Sequence, residues 1–310
     1  MAALEILGLA KSYPTGFWRK TLNPALSPLE LTVNDGETFG FLGPNGAGKT
    51  TTLKLLMGII FPTSGSARIL GRDFRDPEVR REIGFLPEQP YFYDYLSATE
   101  LLDYYAQLSG VPEDERRKRI PALLERVGLG DAGRKQLRKF SKGMLQRVGI
   151  AQAIIHDPKL IFFDEPMSGL DPIGRREVRE LIQGLKDEGK TIFLTTHILS
   201  DAESLCDRVA IIHKGELRGI GVVEDLTSKA ADKTEVVWRG AHALPALANL
   251  ISEEHVTGDI VRGVVSSEQI DSLLEKLHQQ RAHVISLTPL QGTLEDYFVA
   301  QTAGREEVKA

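Results

Sequence analysis

The chain has 310 residues, 42% of them hydrophobic and 26% charged, with a formal net charge of −5. That is ordinary globular composition with room for a large core and a second small domain, and it argues against a protein that coats nucleic acid. The single cysteine, Cys206, excludes an internal disulfide and reads as a small buried apolar residue in a reducing compartment.

The opening MAALEILGLAKSY lacks a basic leader followed by an apolar core and a cleavage site, so no signal peptide is expected. No stretch approaches the roughly 18 uncharged apolar residues of a membrane span. LTVNDGE (31–37) and ETFGFL (37–42) read as strands. The next eight residues, GPNGAGKT (43–50), match the phosphate-cradling pattern GxxxxGK[ST] in full. Gly43, Gly46 and Gly48 let the backbone turn tightly and bring N–H groups to a polyphosphate. Lys49 can reach the terminal phosphates, and the Thr50 hydroxyl suits Mg²⁺. TTLKLLMGII (51–60) carries Leu53, Leu56, Met57 and Ile60 at helical spacing, so the loop joins a strand to a helix N-terminus that favours anions.

EIGFLPEQ (82–89) reads as a further strand, ending on Gln89, whose amide can bind Mg²⁺ or a water without bringing charge. The aromatic run YFYDYL (91–96) suits either a core or a surface that docks a partner. Residues 93–156 form a charged helical stretch inserted between strands, with helices expected over 97–110 and 114–129. The Arg/Lys run at 116–119 reads as a solvated helix face. In KFSKGMLQRVGIAQAIIH (139–156), Ser141 is placed to cap a helix and, with the Gly143 N–H, to make a second anion site.

LIFFDEP (160–166) ends an apolar strand on two acids. A buried parallel strand delivers both to the sheet edge where nucleotides bind. Asp164 suits a metal role, and Glu165 suits a general base for water. TIFLTTH (191–197) brings His197 to the same edge, within reach of a γ-phosphate. RVAIIHKG (208–215) is the last strand of this region, which runs from residue 1 to about 224 and alternates strands with helices, the pattern of a parallel α/β sheet. Residues 225–302 read as a small α+β domain, with strands at 234–240, 259–266 and 283–290 and helices at 243–252 and 267–280. Residues 303–310 read as a frayed tail.

Taken in order, GPNGAGKTT (43–51), Gln89, FSKGMLQR (140–147), LIFFDE (160–165), SGLD (168–171) and His197 resemble the ATP-binding subunit of an ABC transporter. The resemblance spans about 220 residues. It implies a P-loop NTPase core with an inserted helical subdomain, binding ATP and Mg²⁺. Gly43, Pro44, Asn45, Gly46, Ala47, Gly48, Lys49, Thr50 and Thr51 would be the Walker A loop. Gln89 would be the Q-loop glutamine, a catalytic and metal position shared with Thr50 and Asp164. Glu165 would be the catalytic glutamate, His197 the switch histidine and Asp171 the D-loop aspartate. Ser141, Lys142 and Gly143 would form the signature that completes the site of a second copy. Tyr13 matches the aromatic that stacks on adenine, with Trp18 as the fallback.

The signature departs from the usual LSGGQ. Lys142 replaces a glycine and Met144 a glutamine, as in a KGM variant of the exporter branch, and Lys142 faces either the opposite γ-phosphate or solvent. FWRKTLNPAL (17–26) lengthens the stretch after Tyr13. SLTPLQGTLEDYF (286–298) resembles the end of exporter ATPases with separate membrane subunits. The implied partners are a membrane-spanning transporter subunit and a second identical or closely related ATPase subunit, with no nucleic acid. The implied place is the cytoplasmic face of the cell membrane. The alternative is a soluble ABC ATPase of DNA repair or ribosomes. Repair members carry a long coiled-coil insertion and ribosomal members two cassettes, and neither is found here. The signature and the ordered Gln89, Asp164–Glu165 and His197 argue against a P-loop kinase or GTPase.

Overall fold

The computed structural model describes residues 2–16, 21–230, 233–240, 247, 250–290 and 292–303. The chain divides into two compact units, Met1–Gly221 and Val222–Ala310.

The first unit opens with two long strands, β1 (Ala2–Thr15) and β2 (Thr21–Asn34), followed by β3 (Thr38–Leu42) and helix α1 (Lys49–Leu56). Then come β4 (Ser64–Ile69), β5 (Arg72–Asp73) and β6 (Ile83–Leu86). Helices α2 (Ala98–Leu108), α3 (Glu113–Arg126) and α4 (Lys142–Ile154) follow, and after them β7 (Leu160–Asp164), α5 (Pro172–Asp187) and β8 (Thr191–Thr196). The unit closes with α6 (Leu199–Leu205), β9 (Arg208–His213) and β10 (Glu216–Val222).

Six strands form one sheet in the order β10-β9-β3-β8-β7-β6. The five from β9 to β6 run parallel. Every residue of β3, β7 and β8 is buried, which is why these strands read as unbroken apolar runs rather than alternating ones. The Phe193 ring lies 5.7 Å from each of Phe39, Phe41 and Phe162 and knits three adjacent strands together.

A second sheet, β2-β1-β4-β5, is antiparallel, and the sequence reading did not anticipate it. The expected strand over 31–37 is the end of β2. The chain turns at Asp35–Gly36, with Gly36 at φ 73°, and the Glu37 carboxylate accepts the Asn34 N–H at 2.7 Å. Pro24 and Pro28 break the pattern of β2, whose buried residues then alternate at Leu29, Leu31 and Val33.

The helical stretch packs α2, α3 and α4 around Leu101, Leu102, Leu124, Val148 and Ala151. A capping box opens α2: Glu100 N–H donates to Ser97 Oγ at 3.3 Å and Ser97 N–H to Glu100 at 2.7 Å. The 116–119 run is not uniformly solvated. The Arg116 guanidinium is largely buried and joins α3 to α2 through Asp103 at 2.8 Å.

The second unit contains α7 (Val223–Ala230), β11 (Lys233–Arg239), β12 (Ile251–Thr257), β13 (Ile260–Ser266), α8 (Ile270–Gln279), β14 (His283–Pro289) and α9 (Leu294–Ala303). Its sheet, β12-β13-β11-β14, is antiparallel throughout, and its core holds Trp238, Val261, Leu273 and Leu277. The expected helix over 243–252 lies mostly outside the described residues, and its last two, Ile251 and Ser252, belong to β12. Residues 304–310 of the expected tail and the fallback residue Trp18 also lie outside them.

Because Phe193 is fully buried against three other rings, Phe193→Ala is expected to cost about 3–5 kcal/mol. Urea unfolding followed by circular dichroism checks this.

Candidate functional site

Strand register builds the site. Leu42 of β3 pairs with Thr196 of β8, and Thr195 of β8 pairs with Asp164 of β7. All three strands therefore end at one edge, and Gly43, Glu165 and His197 leave them side by side. Gly43 N–H donates to Thr196 O at 3.3 Å and Glu165 N–H to Thr195 O at 3.2 Å, carrying the alignment one residue past the strands.

The loop 43–48 needs its glycines for two reasons. A Cβ at Gly43 would collide with the Ile212 carbonyl, and Gly48 caps α1 at φ 111°. The loop borders a cavity of about 420 Å³ lined by Asn45, Gly46, Gly48, Lys49, Thr50 and Thr51, with Ala25, Glu88, Glu165, Ser168 and His197 around them. Lys49 is buried at its floor. Its ammonium donates to Gly43 O at 2.6 Å and Pro44 O at 3.3 Å and pairs with Glu165 Oε1 at 3.1 Å. Ala47 is buried beneath the loop and donates its N–H to Pro44 O at 3.1 Å.

Glu165 is a non-glycine residue at φ 50°, a left-handed conformation that costs about 1–3 kcal/mol and is held by its surroundings. Its Oε2 lies 2.8 Å from His197 Nδ1 and accepts the His197 backbone N–H at 3.4 Å. Thr195 Oγ1 donates to Asp164 Oδ1 at 2.6 Å and accepts the Glu165 N–H at 3.0 Å, so one hydroxyl orients both acids. Thr50 Oγ1 lies 3.4 Å from the same Asp164 oxygen. Burial pushes the Asp164 carboxyl above its ordinary value. The Thr195 and Thr50 hydrogen bonds oppose the rise, and the charges of Glu165 and Glu88 add to it. On α6, fully buried Asp201 takes Arg175 at 2.7 Å and Arg179 at 3.0 Å from α5, fixing the chain beyond His197.

The other expected residues fall elsewhere. Glu88 and Gln89 are both exposed, and of the two only Glu88 lines the cavity. β6 stops at Leu86, short of the strand end expected at Gln89, so Gln89 lies in the loop beyond it. Tyr13 sits on the β1–β2 hairpin outside the cavity, 40% exposed, with the Lys11 ammonium 5.0 Å from its ring.

Ser141 caps α4, accepting the Met144 N–H at 3.3 Å, and Asp171 caps α5, accepting the Gly174 N–H at 3.0 Å. Neither lines the cavity. The two caps are nevertheless close: a Cβ on Gly169 would take the place of the Lys142 ammonium, and one on Gly143 would lie 3.9 Å from Leu170. The loop that begins at Glu165 thus runs from the cavity, past Ser168, to the start of α4. Sequence reading overlooked Glu88, Ser168 and Thr195. Only Thr195 left a signal, as the hydroxyl just inside the strand end TIFLTTH.

The core reading of YFYDYL holds for part of the run only. Phe92 packs on the helical core, while Tyr91, Tyr93, Tyr95 and Tyr104 are exposed, and Tyr93 touches Tyr95 and Tyr104 with ring centroids 5.9 and 6.4 Å apart. Cys206 is buried, as expected, and burial pushes its thiol far up. Among the described residues no helix is long and apolar enough to cross a membrane.

The ABC transporter family pattern matches residues 26–168. An ABC transporter ATP-binding protein of Synechocystis sp. is 46% identical over 307 residues, covering 97% of this chain and 85% of that protein. A fluoroquinolones export ATP-binding protein of Mycobacterium tuberculosis is 38% identical, covering 76% of this chain and 77% of its own length. Among solved structures, a dimeric ATP-binding cassette in a post-hydrolysis state with ADP and Pi superposes with a TM-score of 0.63 at 26% identity, covering 71% of this chain and 98% of that one. The core is thus a P-loop NTPase fold with an inserted helical stretch, and this chain belongs to the ABC transporter ATP-binding family, an ATPase family.

Proposed function

We propose that this chain is the energy-coupling ATPase of an exporter, in which two ATPase subunits close on ATP and Mg²⁺ to drive a membrane-spanning partner. The observation that carries the reading is the register at the sheet edge, which gathers Lys49, Asp164, Glu165 and His197 around the phosphate loop. The caps at Ser141 and Asp171 do not line their own cavity, which supports a site completed by the signature of another copy. That copy is either identical or a close relative. The exposed tyrosines beside the helical stretch support docking on a membrane subunit at its cytoplasmic face, because aromatics anchor interfaces. The export reading leans on the mycobacterial relative's name and on the residues 286–298 resemblance. No observation among the described residues favours the alternative of a soluble ABC ATPase of DNA repair or ribosomes.

The oxygen donors fit a magnesium ion. The Thr50 hydroxyl and the Asp164 carboxylate converge at 3.4 Å, and the Asp164 acid is raised by burial and by neighbouring negative charge that a cation would relieve. When bound, the ion would neutralise charge developing on the phosphate oxygens. Lys49 would turn its ammonium from Glu165 to the phosphates, which leaves the Glu165 carboxylate to accept a proton from water. The water oxygen bonds to the γ-phosphorus, the bridging P–O bond breaks, and the electron pair leaves on ADP. His197, bonded to Glu165 at 2.8 Å, holds that carboxylate in place. Tyr13 would stack on adenine from the rim of the hairpin. Lys142 would add positive charge at the second half-site beside Ser141 and Gly143.

Lys49→Ala is expected to remove most ATP binding in a fluorescent-nucleotide titration. Glu165→Gln is expected to keep ATP binding while slowing phosphate release by about 100-fold or more. Lys142→Gln is expected to weaken ATP-driven subunit association severalfold, with Lys142→Arg preserving it, as read by sedimentation.

A further inference from the structure

Glu165 sits on strained backbone. Its φ of 50° is a left-handed value that residues with a side chain seldom take, and such strain persists only where the surroundings over-determine it. Thr195 supplies what holds it. The Glu165 N–H is shared between two acceptors of that one residue, the backbone carbonyl at 3.2 Å and Oγ1 at 3.0 Å. The Thr195 hydroxyl has a single proton, and it goes to Asp164 Oδ1 at 2.6 Å. Donating there turns a lone pair of Oγ1 toward the Glu165 N–H, so the direction of one bond fixes the other. Thr195 is fully buried, so solvent does not reach either bond. The adjacent threonine has a different partner: Thr196 Oγ1 accepts the Ile198 N–H at 3.0 Å.

On the ATPase reading above, we propose that Thr195 is a positioning residue for turnover, whose hydroxyl sets the backbone of Glu165, and with it the carboxylate, relative to Asp164. The carboxylate is otherwise held by two side chains. Lys49 lies 3.1 Å from Oε1, and His197 meets Oε2 through Nδ1 at 2.8 Å and through its backbone N–H at 3.4 Å. A phosphate that takes the Lys49 ammonium removes the first of these. The base is then aimed by His197 at its tip and by Thr195 at its backbone. A valine at 195 keeps the branched shape that suits a strand and loses the hydroxyl. It leaves the Glu165 N–H with the longer bond alone and Asp164 Oδ1 without its buried donor. A displacement of about 1 Å at the base is enough to slow a reaction severely. Nucleotide binding draws on the loop 43–51, so the loss falls on turnover rather than on affinity.

The test has a nucleotide-free arm and a kinetic arm, both on the full chain. In the first, amide hydrogen exchange is followed by NMR. Thr195→Val is expected to speed exchange at Glu165 by about tenfold or more while Phe162, in the core of β7, keeps its rate, and Thr195→Ser is expected to exchange like wild type. In the second, phosphate release is compared with a fluorescent-ATP titration in EDTA. Thr195→Val is expected to lower kcat by about 10–100-fold with affinity changed by less than about twofold, and Thr195→Ser to restore kcat to within about threefold of wild type. Should Thr195→Val not fold, Thr195→Cys takes its place with the same expected losses, because a thiol is a weak donor and acceptor. Wild-type kcat in Thr195→Val, a Thr195→Ser chain as impaired as Thr195→Val, or exchange that speeds equally at Phe162 overturns the proposal. If wild type releases no phosphate from ATP, the ATPase reading itself fails, and the exchange arm still decides whether the hydroxyl holds Glu165.

Discussion

The site depends on the register of three parallel strands. Leu42 opposite Thr196 and Thr195 opposite Asp164 bring a phosphate loop, two acids and a histidine to one line from three distant parts of the sequence. Slipping β8 by one residue would turn Thr195 away from Asp164 and move His197 off Glu165. Burial on both faces of the sheet holds that register, and the Phe193 ring, in contact with residues of β3 and β7, locks it.

From that constraint follows an unusual density of buried charge. Lys49, Asp164 and Glu165 are all nearly inaccessible, and each is held by named partners. Lys49 balances Glu165, Thr195 orders both acids, and His197 closes the far side of Glu165. Such groups are costly to bury unless paired. Under the proposed function, a phosphate that draws the Lys49 ammonium would free Glu165, whose loop runs past Ser168 toward the start of α4.

Much of this was legible in the sequence because the responsible signals are local. The GPNGAGKT loop, the apolar runs ending in Asp164–Glu165 and His197, and the cap at Ser141 each depend on a few consecutive residues. What escaped depends on contacts between distant segments or on a change of direction that no period announces. The β2-β1-β4 sheet was hidden because prolines interrupt β2 and because β4 reaches β1 from beyond the phosphate loop and α1. The strand read over 82–89 ends at Leu86, so Gln89 lies in the loop beyond it. Arg116 looked solvated within a charged run, yet it is seated on Asp103 from another helix.

The central claim is that ATP joins two ATPase subunits across the cavity edge. The most direct measurement is sedimentation velocity of the Glu165→Gln chain with and without Mg²⁺ and ATP. A monomer that becomes a dimer when both are added, and returns to monomer when they are removed, is the predicted result. A chain that binds ATP yet sediments as a monomer throughout would contradict the account.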